Sequence, residues 1–292
     1  MKLFKLNIFS VKNKKKIKNC VPSFYNDGIV FFKITAVDGS FGLSEPSPYL
    51  GNPDFIVKKI EQFYIKYIKD KSIADLNFLN LRKNVKNNTL EYNLVPSFEQ
   101  SIYDLKSKIA KKNISFFLNK NSHKKKIKLY ASGGMLFENE SYDRLIDEAI
   151  RYKDLGYMGW KFRPKVPVAN LSHQQRIKNP PDFDMTKLLF FCEKIRKKVG
   201  DSFNLMLDCG CRIKNIQKST KLFDALNELN FLFVEEPFKR KLSNYLKFDK
   251  KYKTKIIAGG ENFNGYKSFL EFSKLNSVKY IQQQLKLYIS FS

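Results

Sequence analysis

The chain has 292 residues, 43% hydrophobic, with 27 Phe and 15 Tyr, enough for one large domain or two with cores of their own and unlike a disordered or collagenous composition. Its formal net charge is +26, yet the lysines are spread through every helix-like segment and dense only at 11–18 and 123–128, with no zinc-finger, helix-turn-helix or RNP-like pattern, which counts against nucleic acid as a partner and leaves a positive field suited to drawing in anionic substrates. Cys20, Cys192, Cys209 and Cys211 make no CxxC pair and no disulfide framework, no apolar run approaches about 20 residues, and the N-terminus is too polar for a signal peptide, so the expectation is a cytoplasmic protein without a membrane partner.

The first part reads as α+β. Residues 28–46, GIVFFKITAVDGSFGLSEP, predict a strand, a turn at Asp38-Gly39 and a second short strand. A Pro/Gly loop occupies 46–53. DFIVKKIEQFYIKYIKD places Ile56, Ile60, Phe63 and Tyr67 on one helical face, and FEQSIYDLKSKIAKK repeats the pattern with Phe98, Ile102, Leu105 and Ile109. The polar, basic connection at 119–126 predicts a boundary between domains 1–125 and 126–292.

Beyond it the rhythm changes. Short apolar strands are predicted at KLYAS (128–132), GWKF (159–162), NLMLD (204–208), FLFVE (231–235), KIIAG (255–259) and VKYI (278–281). Amphipathic helices lie between them. SYDRLIDEAIRYKDL stops at Gly156, and MTKLLFFCEKIRKKV buries Leu188, Cys192, Ile195 and Val199 and stops at Gly200. This is a βα alternation, implying a parallel sheet with right-handed crossovers. Six strands fit either an open doubly wound sheet or part of a (β/α)8 barrel. No GxGxxG or Walker motif follows any strand, which weakens a nucleotide-binding reading.

Three consecutive strand tips carry acids. NLMLD ends in Asp208, FLFVE in Glu235, and IIAGGE delivers Glu261, at separations of 27 and 26 residues. One βα unit separates each from the next, so in a barrel all three gather at one mouth. A single such acid is more simply a helix cap or a solvated side chain. Three in register repel one another unless a cation joins them, and an all-oxygen set points to Mg2+. Glu236 should point away from Glu235 by strand alternation and is not expected to be a ligand. Lys161 and Arg163, two residues apart at the preceding tip, share a face. Alone they read as surface cations; beside a carboxylate cluster they suit a substrate carboxylate and a proton.

Taken in order, GYMGWKFR, LMLDCG, FVEEP and AGGEN resemble the motifs of the enolase superfamily, in its mandelate racemase/muconate lactonizing enzyme group. KITAVDGSFGLSEP resembles the first hairpin of that family's capping domain, and IYDLKSKIAKKNI the stretch that closes it, so the resemblance covers nearly the whole chain. It implies an α/β protein with an α+β capping domain over a (β/α)7β barrel, Mg2+ held by Asp208, Glu235 and Glu261, and removal of the proton α to a carboxylate through an enediolate. Lys161 matches the first lysine of the family's KxK motif, which contacts the substrate carboxylate, and Arg163 stands where the second lysine, often the base, would be. The substrate implied is a small anionic carboxylate, an acid sugar undergoing dehydration; racemization and cycloisomerization are the alternatives within the superfamily. The complete protein is expected to be a homo-oligomer. The loops at 21–28 and 46–53 match those that shape specificity, and the insertion at 164–183 is a candidate lid or interface element.

The sequence also departs from that pattern. Arginine is a poor general base, its pKa lying above about 12. Gln284 stands where an Asp on strand six is expected, and His123 and His173 do not match the strand-seven histidine. The chain ends at LKLYISFS before strands seven and eight. The expectation is therefore an incomplete barrel, with a truncated, catalytically defective fragment as the alternative to an active dehydratase.

Overall fold

The computed structural model describes residues 1–11, 28–46, 52–86, 90–118, 127–134, 140–165, 183–217, 219–239, 241–260 and 266–282, the side chains of 266–268 excepted. Two compact units result, Met1–Lys125 and Lys126–Gln283. No described helix is long and apolar enough to cross a membrane.

In the first unit, β1 (Leu3–Val11), β2 (Ile29–Ala36) and β3 (Phe41–Ser44) form an antiparallel sheet in that order. The β2–β3 hairpin turns through Gly39 at φ +84°, and Asp38 Oδ1 accepts the Ser40 N–H at 3.0 Å. Among the described residues four α-helices follow: α1 (Pro53–Tyr67), α2 (Phe78–Asn84), α3 (Leu90–Ala110) and α4 (Ile114–Leu118), with a 3-10 turn at Ile73–Asp75 between the first two. Asn52 caps α1 by accepting the Phe55 N–H at 2.9 Å, and Pro53 begins the helix, where its missing N–H costs nothing. The buried face of α1 carries Ile56, Ile60, Phe63 and Tyr64, while α3 buries Phe98, Ile102 and Leu105. Phe98 joins the two helices to the sheet, 4.6 Å from Phe63 and 4.7 Å from Phe32 between ring centroids. Gly42 is needed where α3 crosses β3: a Cβ there would stand 1.8 Å from the Ser101 carbonyl oxygen.

The second unit alternates β4 (Ala131–Ser132), α5 (Asp143–Asp154), β5 (Gly159–Phe162), α6 (Met185–Val199), β6 (Asn204–Asp208), α7 (Ser219–Glu228), β7 (Phe231–Glu235), α8 (Leu242–Asp249), β8 (Ile257–Gly259), α9 (Tyr266–Ser273) and β9 (Val278–Ile281). All neighbouring strands are parallel and the sheet runs β4-β5-β6-β7-β8-β9. This sequential order has no reversal, so among the described residues the sheet is six consecutive strands of a (β/α) barrel rather than a doubly wound sheet. The face toward the helices holds the large core, with Trp160, Phe162, Leu205, Leu207 and Val234 buried against Leu188, Phe191, Ile195 and Phe223. Each such side chain contributes about 1.5–3 kcal/mol when fully buried. The inner face carries a smaller cluster, Met206, Phe233 and Ala258. Helix α6 shows how local sequence sets the frame: Asp184 Oδ1 accepts the Lys187 N–H at 3.0 Å, and Gly200 ends the helix at φ +76°.

Candidate metal and carboxylate site

Strand alternation decides which residues reach the mouth. On β5 the aromatic Trp160 and Phe162 enter the outer core, leaving Lys161 on the inner face, with Arg163 two residues on. On β6, Met206 is inside and Asp208 follows in phase. On β7, Phe233 is inside and Glu235 in phase, after a register shift opposite Leu205/Met206 re-aims the strand. Asp208 and Glu235 are direct partners across the β6–β7 pair, each 4% exposed.

Lys161 Nζ lies 2.6 Å from Glu235 Oε2, and Arg163 Nε donates to Asp208 Oδ2 at 2.6 Å. Asp208 Oδ1 accepts the Gly210 N–H at 2.9 Å. Glu235 Oε2 takes a second donor, Gln282 Nε2, at 2.7 Å. Burial alone would lower the Lys161 pKa, but Glu235 and then Asp208 more than offset it and raise it. Burial and then the neighbouring charge of Asp208 work against ionisation of Glu235, with Lys161 and Gln282 opposing them. The two tendencies conflict for one ion pair. The contacts settle the matter: Glu235 Oε2 accepts from an ammonium and an amide at once, the surroundings of an ionised carboxylate.

The sequence-predicted residues Lys161, Arg163, Asp208 and Glu235 are thus brought together. Glu261 lies outside the described residues, as do Cys20, His123, His173, Gln284, the 119–126 connection and most of the 21–28, 46–53 and 164–183 segments. Among the described residues no three His, Cys, Asp or Glu side chains converge. The donor set nonetheless fits a hard divalent cation. Two buried carboxylates face one another, and Gln282 Oε1 is buried without a hydrogen-bond partner.

Two residues here were missed by sequence reasoning. Gln282 directly follows VKYI, and that tip position is the same signal that marked the acids. Arg212 stands in the connection after β6. Its Nη1 donates to the Pro164 carbonyl at 2.9 Å, its Nη2 to that of Lys165 at 2.6 Å, and its guanidinium lies 5.1 Å from the centroid of the Phe183 ring. Arg212 therefore holds both described ends of the 164–183 insertion. Lys165 adds a contact to the Glu140 carbonyl and lies over Tyr142, itself stacked on Phe191. Sequence offered no signal for Arg212, because its partners are backbone carbonyls remote in the chain.

A sequential parallel barrel sheet, with buried acids and their cation partners at the C-terminal ends of its strands, defines a β/α-barrel protein with its candidate site at that face. Residues 144–286 match the family described as Enolase C-terminal domain-like. Through those residues the chain is similar to the enolase superfamily. It is 24% identical over 272 residues to the D-gluconate/D-galactonate dehydratase of Picrophilus torridus, covering 89% of this chain; the chain spans 65% of that relative's length. Its fold matches the 3,6-anhydro-D-galactonate cycloisomerase of Zobellia galactanivorans with a TM-score of 0.72 at 19% identity, covering 98% of this chain and 73% of the other. It also matches a racemase from Streptomyces coelicolor A3(2) with bound magnesium, with a TM-score of 0.73 at 14% identity, covering 97% and 77%.

Proposed function

We propose that the strand-tip acids Asp208, Glu235 and Glu261 hold Mg2+ and that the site removes the proton α to the carboxylate of an acid sugar, in a dehydration. The observation that carries this reading is the direct pairing of Asp208 with Glu235, both buried and each bonded to a cation at 2.6 Å. The dehydratase relative supports the substrate class, and the magnesium-bound racemase of like fold supports the ion. Met1–Lys125 takes the capping role in this reading, and Lys126–Gln283 supplies the barrel.

When bound, Mg2+ supplies positive charge to oppose the negative charge that develops on the substrate carboxylate as its α-proton leaves. Lys161, kept as an ammonium by its carboxylate neighbours, binds and orients that carboxylate. Arg163 cannot accept a proton and serves as a second fixed cation beside Asp208. Burial of both acids excludes water and strengthens these interactions. Gln282 fixes the rotamer of Glu235.

A second reading is favoured by one observation: the residue that follows Lys161 at period two is an arginine bonded to Asp208, not a base. In that reading the chain binds the ion and a carboxylate without turnover. Incubation with D-gluconate or D-galactonate in D2O, followed by NMR, separates the two. The dehydratase reading expects Mg2+-dependent loss of the α-proton signal and release of a 2-keto-3-deoxy acid, abolished by EDTA. Persistence of the α-proton with Mg2+ present contradicts it and leaves the binding reading.

A further inference from the structure

The adjacent acids at the end of β7 have separate surroundings. Glu235 faces the inner side. Glu236 adopts φ +40° and turns its side chain outward, where it is 4% exposed. Its Oε1 accepts the Gly260 N–H at 3.0 Å. Its Oε2 accepts the Tyr245 hydroxyl at 3.2 Å and lies 3.7 Å from Cys211 Sγ. The main chain is held as well: the Glu236 carbonyl accepts the Cys211 N–H at 2.6 Å, and the Glu236 N–H donates to the Ala258 carbonyl at 3.0 Å.

The partners lie on both flanks of the site. Cys211, itself at φ +64°, belongs to the connection that follows Asp208, and Gly260, at φ +110°, is the residue before Glu261. Gly259 lets the carboxylate come close, since a Cβ there would lie 3.3 Å from Glu236 Oε1. Tyr245 reaches in from α8 and shares its one hydroxyl proton between the carboxylate and the Phe238 carbonyl, each at 3.2 Å, so the carboxylate is braced from outside. A buried acid is costly to keep unless its bonds are needed. The bonds here hold the backbone on either side of the mouth.

We propose that Glu236 is a positioning residue for the metal site: by holding Cys211 and Gly260 it fixes the connection that follows Asp208 and the end of β8 on either side of Glu235. The inference rests on the metal-binding reading above. A purely structural role predicts something different, namely lost stability with the ion affinity of the folded protein unchanged.

The test is an electron-paramagnetic-resonance titration of the full chain with Mn2+, for the wild type, Glu236→Ala, Glu236→Gln, Tyr245→Phe and the core control Phe248→Leu, alongside thermal unfolding. Glu236→Ala is expected to weaken Mn2+ binding about 10–100-fold, as loss of an outer support typically does. Glu236→Gln keeps an acceptor for the Gly260 N–H and is expected to stay within about 3-fold of wild type, with Tyr245→Phe intermediate. Phe248→Leu is expected to lower the unfolding temperature without changing the affinity. A folded Glu236→Ala that binds like wild type overturns the inference and leaves the metal reading standing. Should Glu236→Ala fail to fold, Tyr245→Phe decides: weakening no greater than that of Phe248→Leu also overturns it. A wild-type chain that binds no Mn2+ removes both the metal reading and this inference.

Discussion

The two ends of the parallel sheet use their cations in opposite ways. At the C-terminal ends, Lys161 and Arg163 each meet one carboxylate, Glu235 and Asp208, at 2.6 Å. At the N-terminal ends, Arg196 from α6 meets no carboxylate by hydrogen bond among the described residues; its guanidinium donates to the carbonyls of Gly200 and Phe203 at 2.7 Å, Leu229 at 2.8 Å and Asn230 at 3.1 Å. Cation–carboxylate pairs can be exchanged for an ion on one side and a substrate carboxylate on the other. Four backbone carbonyls cannot be exchanged for anything without unfolding the loops that carry them. The contrast follows the general division of barrels, with chemistry at the C-terminal face and stability at the N-terminal face.

The comparison breaks most easily at Arg196. Arg196→Met leaves four carbonyls without their donor and is expected to cost about 3 kcal/mol or more, read as a lower urea midpoint, with Mn2+ affinity per folded molecule unchanged. A loss under about 1 kcal/mol erases the distinction between the two ends. Glu235→Gln at the mouth should do the reverse. It keeps the shape and an acceptor for Lys161, and Asp208 still acts on the ammonium, so the stability loss stays below the roughly 3–5 kcal/mol of breaking a buried pair outright, while Mg2+ binding measured by calorimetry is lost.

Arg212 sharpens the same contrast on the side of the insertion. Arg212→Ala frees the carbonyls of Pro164 and Lys165, and is expected to raise KM for an active acid sugar about ten-fold, a cost of about 1.4 kcal/mol, with a smaller change in kcat; steady-state kinetics checks it. The smallest effect concerns pH. Burial first, and then the charge of Glu236, push the Tyr245 hydroxyl well above its ordinary pKa of 10, and burial pushes Tyr252 up to about 12. Both folded values lie above the unfolded one. The stabilisation is therefore full below about pH 10 and fades as pH rises through the folded values. Tyr245→Phe should flatten that alkaline slope in denaturation midpoints taken from pH 8 upward.

Most of the barrel unit was legible because its elements satisfy local and global demands together. GWKF, NLMLD, FLFVE, VKYI and the helix MTKLLFFCEKIRKKV have the predicted limits. The edges were less legible. β1 was not predicted, because LFKLNIFSV buries only Leu3 fully and shows no clean alternation; its strand character comes from pairing with β2 and from Phe9 stacked on Phe31 at 4.9 Å. α3 begins at Leu90 rather than near Phe98, with Pro96 inside it, since Leu94, Val95 and Pro96 are buried by packing that a local pattern does not contain. β4 keeps only Ala131 and Ser132 of the five residues expected, and β8 only Ile257–Gly259. At the site, the grouping of Lys161, Arg163, Asp208 and Glu235 could be read from the charge that marks each strand tip. Glu236 could be read as pointing away from Glu235, but not as holding Gly260, because that bond depends on how two loops meet.

The central claim, that the strand-tip acids hold a divalent cation, is tested most directly by calorimetric titration of Mg2+ into the wild-type chain and into Glu235→Gln. The account predicts one Mg2+ bound per wild-type chain and none by the variant. Absence of binding to the wild type, or equal binding by both, contradicts it.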